Sequence, residues 1–251
     1  MNFFGPVLQA KTTMISLAIT DWSNITQYGT IGEHKQFKEG SAMPIRFATQ
    51  QDIPSLLRIY AQYIDTAITF ESILPSEQEF AHRMADIAEE YPCLVCETAG
   101  RVVGYAYAHR HMERAAYQWN AELSIYIDPS FVSKGLGRTF YEILIEILKL
   151  QEIRTVYGGV TIPNEKSERL HLSLGFHPIG TYHKAGHKRG QWHDVTWFEK
   201  EITPYLLDPP PFLPVNQISR EALEHILKEQ GQLTLPVSFS RYTPPKMTDQ
   251  I

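Results

Sequence analysis

Ser133-Lys134-Gly135-Leu136-Gly137-Arg138 sets two glycines and two cations where an alternating pattern gives way to a helical one. Ahead of it, in Ala121-Glu122-Leu123-Ser124-Ile125-Tyr126-Ile127, Leu123, Ile125 and Ile127 share one face of a strand, and Glu122, Ser124 and Tyr126 share the other. Behind it, Leu136, Phe140, Ile143, Leu144 and Ile147 recur at helical spacing as one buried stripe. The hexapeptide is therefore the mouth of a helix N-terminus. Unpaired backbone N–H groups and the positive end of the helix dipole attract an anion there, and glycine lets the chain come close to it. The same spacing also suits a tight strand-to-helix turn with no ligand, so the loop alone does not decide the function.

Outward from this unit, the 251 residues are 43% hydrophobic and 12% aromatic, enough for one sizeable core with a small appendage. A net charge of −5 offers no cationic field to a nucleic acid or an anionic membrane. The longest apolar run near the N-terminus, residues 14–19, is broken by Ser16 and is too short to span a bilayer. We therefore expect a soluble, cytoplasmic protein. Cys93 and Cys96 have the spacing of a redox pair or half a zinc site, but on a strand residues three apart point to opposite faces, and no second pair exists. His171, His177, His183, His187 and His193 crowd one region at spacings that fit no ligand pattern, so no metal is expected.

Residues 1–43 lack sustained periodicity and read as an extension, with Met43 a candidate start. Regular patterning begins with a strand over 45–48 and a helix from about Asp52 that carries Ile53, Leu56, Leu57, Tyr60, Tyr63 and Ile64 on one stripe. Ser76 and Glu79, at capping-box spacing, open a second helix with Phe80, Met84 and Ile87 on its buried face. A hairpin over 93–98 and 102–108 follows, then the glycine unit, a strand over 155–160, a helix from Pro163-Asn164 to Gly175, and strands over 176–182 and 193–199. This order describes an α/β (α+β) domain over 44–205, a mixed sheet with helices on both faces. In residues 206–251, Pro209-Pro210-Pro211 and Pro214 stiffen an extended arm, and a short helix over 220–230 ends at Gly231. Phe212, Leu213 and Val215 on the arm need an apolar cover, and the expected cover is the partner subunit of a homodimer.

The strand, glycine loop and helix, the Pro163-Asn164 turn, and Leu170-His171-Leu172-Ser173-Leu174-Gly175-Phe176 together resemble the acetyl-CoA site of the GNAT superfamily of N-acyltransferases. Residues 133–141, 163–176, 185–195 and 209–218 are similar to the phosphinothricin and methionine sulfoximine acetyltransferases, and the resemblance covers residues 45–218. It implies the GNAT fold, with a mostly antiparallel central sheet. It also implies a dimeric enzyme of detoxification. Such an enzyme acetylates the α-amine of a small amino acid or analogue, of the phosphinothricin, methionine sulfoximine or methionine sulfone type, by direct attack within a ternary complex with acetyl-CoA. Acetyl-CoA falls to Ser133, Lys134, Gly135, Leu136, Gly137, Arg138 and Asn164, and to Ile125, Tyr126 and Ile127, whose backbone would polarise the thioester if the strand splays there. Val132 stands where superfamily members usually carry Gln or Arg, which leaves the pyrophosphate to backbone amides, Lys134 and Arg138.

Acetyl transfer to an amine requires a neutral nitrogen, a stabiliser for the oxyanion and a proton for the departing thiolate. Glu122, an acid in an otherwise apolar strand, is either ion-paired or faces a wet cleft, and it is the candidate base. His171 occupies the position where many superfamily members place a tyrosine and the phosphinothricin acetyltransferases a histidine, which assigns it to proton transfer with Glu122. The loop 110–119 is cationic and aromatic, suited to an acceptor carboxylate. The resemblance puts Arg114 and Tyr117 beside the acceptor and Phe70 over the pocket, while Met112 stands where herbicide-detoxifying members carry lysine. The alternatives are another amine (a peptide N-terminus, a polyamine or an aminoglycoside) or a non-catalytic acyl-CoA-binding sensor. A nucleotide P-loop is excluded, because no Gly-Lys-Ser/Thr follows the glycines.

Overall fold

The computed structural model describes residues 42–234. Alternating segments become β1 (Ala42–Phe47), β2 (Cys93–Thr98), β3 (Arg101–Arg110), β4 (Asn120–Ile127), β5 (Thr155–Ile162), β6 (His177–Lys188), β7 (Gln191–Glu201) and β8 (Gln232–Thr234). Striped segments become α1 (Ile53–Ala61), α2 (Glu77–Glu90), α3 (Leu136–Leu150), α4 (Glu165–Ser173) and α5 (Arg220–Gln230). The strands form one sheet in the order β6-β7-β5-β4-β3-β2-β1-β8. Every neighbouring pair is antiparallel except β4 and β5.

Period-2 alternation divides the core between the two faces of the sheet. Leu94, Cys96, Val103 and Leu123 pack with Leu136, Phe140, Ile143, Leu144 and Ile147 of α3, all buried as the stripe requires. On the other face Cys93, Val95 and Tyr105 meet Leu56 and Ile59 of α1 and Phe80 and Met84 of α2. Cys93 and Cys96 thus lie on opposite faces, both buried and free, and burial pushes each thiol up to about 12. The capping box forms as expected: the Glu79 amide donates to Ser76 Oγ at 3.2 Å, and the Ser76 amide donates to Glu79 Oε2 at 2.9 Å. Among the described residues no helix is long and apolar enough to cross a membrane.

Four boundaries differ from the sequence reading. The first strand opens at Ala42, which puts Met43 in the core at 2% exposure; residues 1–41 of the expected extension lie outside the described residues. α1 stops at Ala61 although its stripe continues, because the amides of Gln62, Tyr63 and Ile64 bond three residues back, as tightened turns. β6 and β7 run on to a two-residue turn, Arg189-Gly190, with both residues left-handed as such a hairpin requires. Their distal halves are polar on both faces, so alternation could not show them. β8 adds an unforeseen strand to the edge of β1.

The proline arm packs along its own chain. Val215 is 8% exposed, and Phe212 stacks on Tyr91 with ring centroids 5.0 Å apart. Gln151 Nε2 donates to Leu213 O at 2.9 Å and to Glu90 O at 2.7 Å, and the Leu213 amide donates to Gln151 O at 3.1 Å. Trp119 Nε1 donates to Pro210 O at 2.7 Å. Beyond the arm, Leu223, Ile226 and Leu227 of α5 pack against the α3 core. Truncation after Asp208 should therefore destabilise the fold itself, by about 2 kcal/mol or more, which is a fall in Tm of about 4–8 °C for a chain of this size. Differential scanning calorimetry checks this, and an unchanged Tm contradicts it.

Candidate active site

The site is built where the two middle strands part. β4 and β5 pair only at Asn120↔Thr155, Ala121↔Val156 and Glu122↔Tyr157. Beyond Glu122, β4 remains paired with β3 on its other edge as far as Ile127, and β5 with β7 as far as Ile162. Their facing edges are left without a strand partner, so backbone N–H and C=O groups there need water or a ligand. A cavity of about 260 Å³ occupies the gap, lined by Glu122 to Tyr126 of β4, Gly159 to Thr161 of β5, Tyr141, Asn164, His171 and Phe70.

Glu122 sits at the last rung, with its side chain 23% exposed. The β3–β4 register sets His109 directly opposite it. His109 Nε2 lies 4.0 Å from one carboxylate oxygen, and His111 Nδ1 lies 3.4 Å from the other. His111 is fixed by a parallel stack on Tyr157, centroids 4.3 Å apart, and by the edge of Trp197. The two open sequence readings of Glu122 thus resolve into a carboxylate that faces the cavity with imidazoles beside it.

His171 is 2% exposed on α4, stacked on Phe198 and edge-on to Phe176 and Tyr141. Its Nδ1 lies 2.8 Å from Ser167 O, and a carbonyl only accepts, so Nδ1 carries the hydrogen and Nε2 is left as acceptor. Tyr141 Oη lies 3.4 Å from Nε2 and donates to it. Burial holds the His171 pKa below its ordinary 6.5, against the opposing pull of the Ser167 carbonyl. It raises that of Tyr141, with the negative charge of Glu122 adding to the effect. The ring needs a glycine beneath it: a Cβ on Gly158 would stand 2.4 Å from Nε2.

From this cavity a groove of about 630 Å³ runs to the mouth of α3, and Ile68, Ile125, Asn164 and Ser167 line both spaces. Ser133 and Gly135 are left-handed at φ +62° and +85°, and Gly135 stands at the N-cap of α3 with no side-chain cap and open space where a Cβ would point, so the first amides of the helix are left to water or an anion. Gly137 serves packing: a Cβ there would lie 3.2 Å from Leu170 of α4. Asn164 caps α4 by accepting from the Ser167 amide at 3.3 Å.

Of the residues singled out in the sequence, Phe70, Glu122, Ile125, Tyr126, Asn164 and His171 meet around the cavity. Ile125, Ile127, Ser133, Gly135, Gly137, Arg138 and Asn164 line the groove. Four lie elsewhere. Leu136 is 1% exposed in the core, so only its backbone belongs to the loop. Lys134 turns back on its own loop, donating to Ser130 O at 2.6 Å with its ammonium 4.7 Å above the Phe131 ring. Arg114 caps and Tyr117 ends a single helical turn on the surface, and they line neither space. Arg138 is committed to Ser173, donating to its Oγ at 2.8 Å, and pairs with Glu142 at 3.3 Å. His111, Tyr141 and Gly158 were missed because sheet register and helix packing bring them in, and no sequence spacing reports either. Among the described residues no three of His, Cys, Asp and Glu converge as a metal-holding group.

Residues 45–197 match the model of the acetyltransferase (GNAT) domain. The chain is 35% identical over 182 residues to a phosphinothricin N-acetyltransferase of Streptomyces viridochromogenes, covering 72% of this chain and 98% of the relative. It is 30% identical over 162 residues to an L-methionine sulfoximine/L-methionine sulfone acetyltransferase of Salmonella typhimurium, covering 64% of this chain and 95% of the relative. Among solved structures it resembles a GNAT superfamily phosphinothricin acetyltransferase from Sinorhizobium meliloti in complex with acetyl-CoA. That likeness has a TM-score of 0.64 at 29% identity, over 69% of this chain and 98% of that one.

The burial of His171 makes stability depend on pH. Its folded-state pKa is depressed, so unfolded chains take up a proton near pH 6.5 that the folded chain refuses. The stability this group contributes is present above its unfolded value and is lost as pH falls through the lowered folded value. Urea unfolding of His171→Gln should therefore show a smaller loss of stability than the parent as pH falls below 6.5. Parallel curves would refute the neutral imidazole.

Proposed function

The chain belongs to the GNAT acetyltransferase family, and we propose that it moves an acetyl group from acetyl-CoA to the α-amine of a small amino acid or analogue by direct attack within a ternary complex. The observation that carries this reading is the end of the β4–β5 ladder at Glu122, with a groove entering the gap from the mouth of α3. A groove of about 630 Å³ lined by apolar Ile125 and Ile127 and ending at uncapped amides suits a long thiol cofactor with an anionic end. Bound there, acetyl-CoA supplies the activated acetyl thioester. The unpaired edge of β4 offers backbone N–H groups to the oxyanion that develops on the acyl carbon. Glu122 takes the proton from the incoming ammonium, directly or through water in the cavity, and leaves a neutral amine to attack. The protonated Tyr141 hydroxyl and the neutral His171 ring keep a proton at the cavity wall for the departing thiolate.

The size of the second space supports a small acceptor. At about 260 Å³ and lined on one side by Phe70, it is below the range of about 300–1,000 Å³ that buries drug-sized molecules. We place phosphinothricin, methionine sulfoximine and methionine sulfone first among the candidates, on the strength of the named relatives. Met112 is exposed and outside the cavity lining, so it offers no contact for tight binding of any of them. The same reading makes the protein a cytoplasmic homodimer acting in detoxification. Two unpaired buried thiols suit a reducing compartment. The exposed Ile179, Tyr182 and Trp192 of β6 and β7, not the arm, are the apolar surface a second copy would cover.

Glu122→Gln is expected to lower kcat by about a hundredfold or more while leaving the KM for acetyl-CoA within about twofold. Steady-state kinetics with both substrates varied tests this, and wild-type turnover across the pH range removes Glu122 from the role of base. A panel of amines containing the three candidates, a peptide N-terminus, a polyamine and an aminoglycoside should show the highest kcat/KM on an amino-acid analogue. Preference for any of the other three replaces the acceptor class proposed here.

A further inference from the structure

Beyond the β4–β5 ladder the two halves of the sheet are joined again, by groups that take no part in the chemistry above. The connection from α1 to α2 belongs to the β4 half, and the tip of the β6–β7 hairpin belongs to the β5 half. Lys188, 5% exposed, reaches from the hairpin into that connection and donates to Thr69 O at 2.6 Å and to Glu71 O at 2.7 Å. These two carbonyls flank Phe70, which lines the cavity with its ring part-exposed. Next to it Arg189 donates to the Asp65 carbonyl at 2.9 Å, but at the surface, where such a contact holds little.

The hairpin also shapes the seat of the Phe70 ring. A Cβ on Gly186 would stand 2.6 Å from the ring, and the His193 imidazole lies beside it with centroids 6.2 Å apart. From the other side the connection is held by Tyr60 Oη to Thr69 Oγ1 at 2.7 Å and by the Arg83–Glu71 pair at 2.8 Å. Burying an ammonium is costly, and filling space alone would be served better by an apolar side chain. What a lysine adds is a charge-assisted hold on two main-chain carbonyls, which fixes the backbone on either side of Phe70.

We propose that Lys188 is a positioning residue, a clasp across the split sheet that sets how far Phe70 reaches into the cavity and hence the size of amino acid accepted. The inference rests on the reading of the acceptor as a small amino acid. In the full-length protein, Lys188→Met should raise KM for the preferred amino-acid analogue by about tenfold or more, the scale of a misfitted apolar contact, and shift kcat/KM toward bulkier side chains. The KM for acetyl-CoA should stay within about twofold. Gly186→Ala, which displaces the ring while leaving the lysine in place, should reproduce that split. Because Lys188 acts through Phe70, the double variant Lys188→Met/Phe70→Ala should be no worse than Phe70→Ala alone. Equal effects on both KM values, or additive effects in the double variant, overturn the proposal. Native-state hydrogen exchange separates it from the acceptor reading. Amides 68–71 should exchange faster in Lys188→Met whichever amine is used, and unchanged exchange overturns the clasp, whereas a wild type inactive on every amino-acid analogue overturns only the acceptor class.

Discussion

The three-rung parallel ladder between β4 and β5 is the constraint on which the rest of this molecule depends. Strands that continue side by side without pairing forgo their mutual hydrogen bonds, and the freed backbone groups are tolerable only where they are wet or meet a ligand. The gap is therefore a permanent opening in an otherwise continuous eight-stranded sheet, set by the backbone before any side chain is considered. Of the two cores on the two faces of the sheet, the one under α3 spans both halves, from Leu94 and Leu123 on the β4 side to Val156, Val160 and Phe198 on the β5 side, and the one under α1 and α2 packs on β2 and β3. Because α3 starts beside the end of β4, its unpaired amides open onto the same space.

Within that space the walls differ in kind. Glu122 is on a strand, His171 and Tyr141 are on helices, and both rings pack against aromatic neighbours, so the groups to which proton transfer is assigned sit on regular elements. Phe70 is on a connection, where sequence change is tolerated without disturbing the sheet. On the reading proposed here, the scaffold holds the groups assigned to the chemistry, and a segment laid over it carries the one assigned to selectivity.

Much of this was legible in the sequence wherever one physical signal dominated. The stripe of α3, the capping box of α2 and the Gly231 stop after α5 are local and strong, and each appears where its residues place it. Glu122 was visible because an acid in an apolar strand must be accounted for. The distal β6–β7 hairpin was not, since the residues of β6 that are covered there, Gly186 and Lys188, carry no apolar side chain and so leave no hydrophobic alternation to read. Neither was the cover of the arm: Phe212 and Val215 announced that they needed one, but only the packed chain shows that Tyr91 and α2 supply it. Lys134 and Arg114 show what spacing and resemblance leave open: Lys134 donates to Ser130 O on its own loop, and Arg114 stands at the N-cap of a surface turn, and neither arrangement is written in the sequence pattern.

The two thiols of Cys93 and Cys96, raised to about 12 by burial on opposite faces of β2, are the only cysteines in the chain. Thiolate, not thiol, attacks electrophiles and disulfides, so burial with a raised pKa disfavours reaction of both cysteines in the folded chain at neutral pH. Acetyl transfer from acetyl-CoA releases CoA as a free thiol. A sulfhydryl reagent that reads this product therefore meets protein thiols that are buried on both faces of the sheet and come within its reach only where β2 is uncovered.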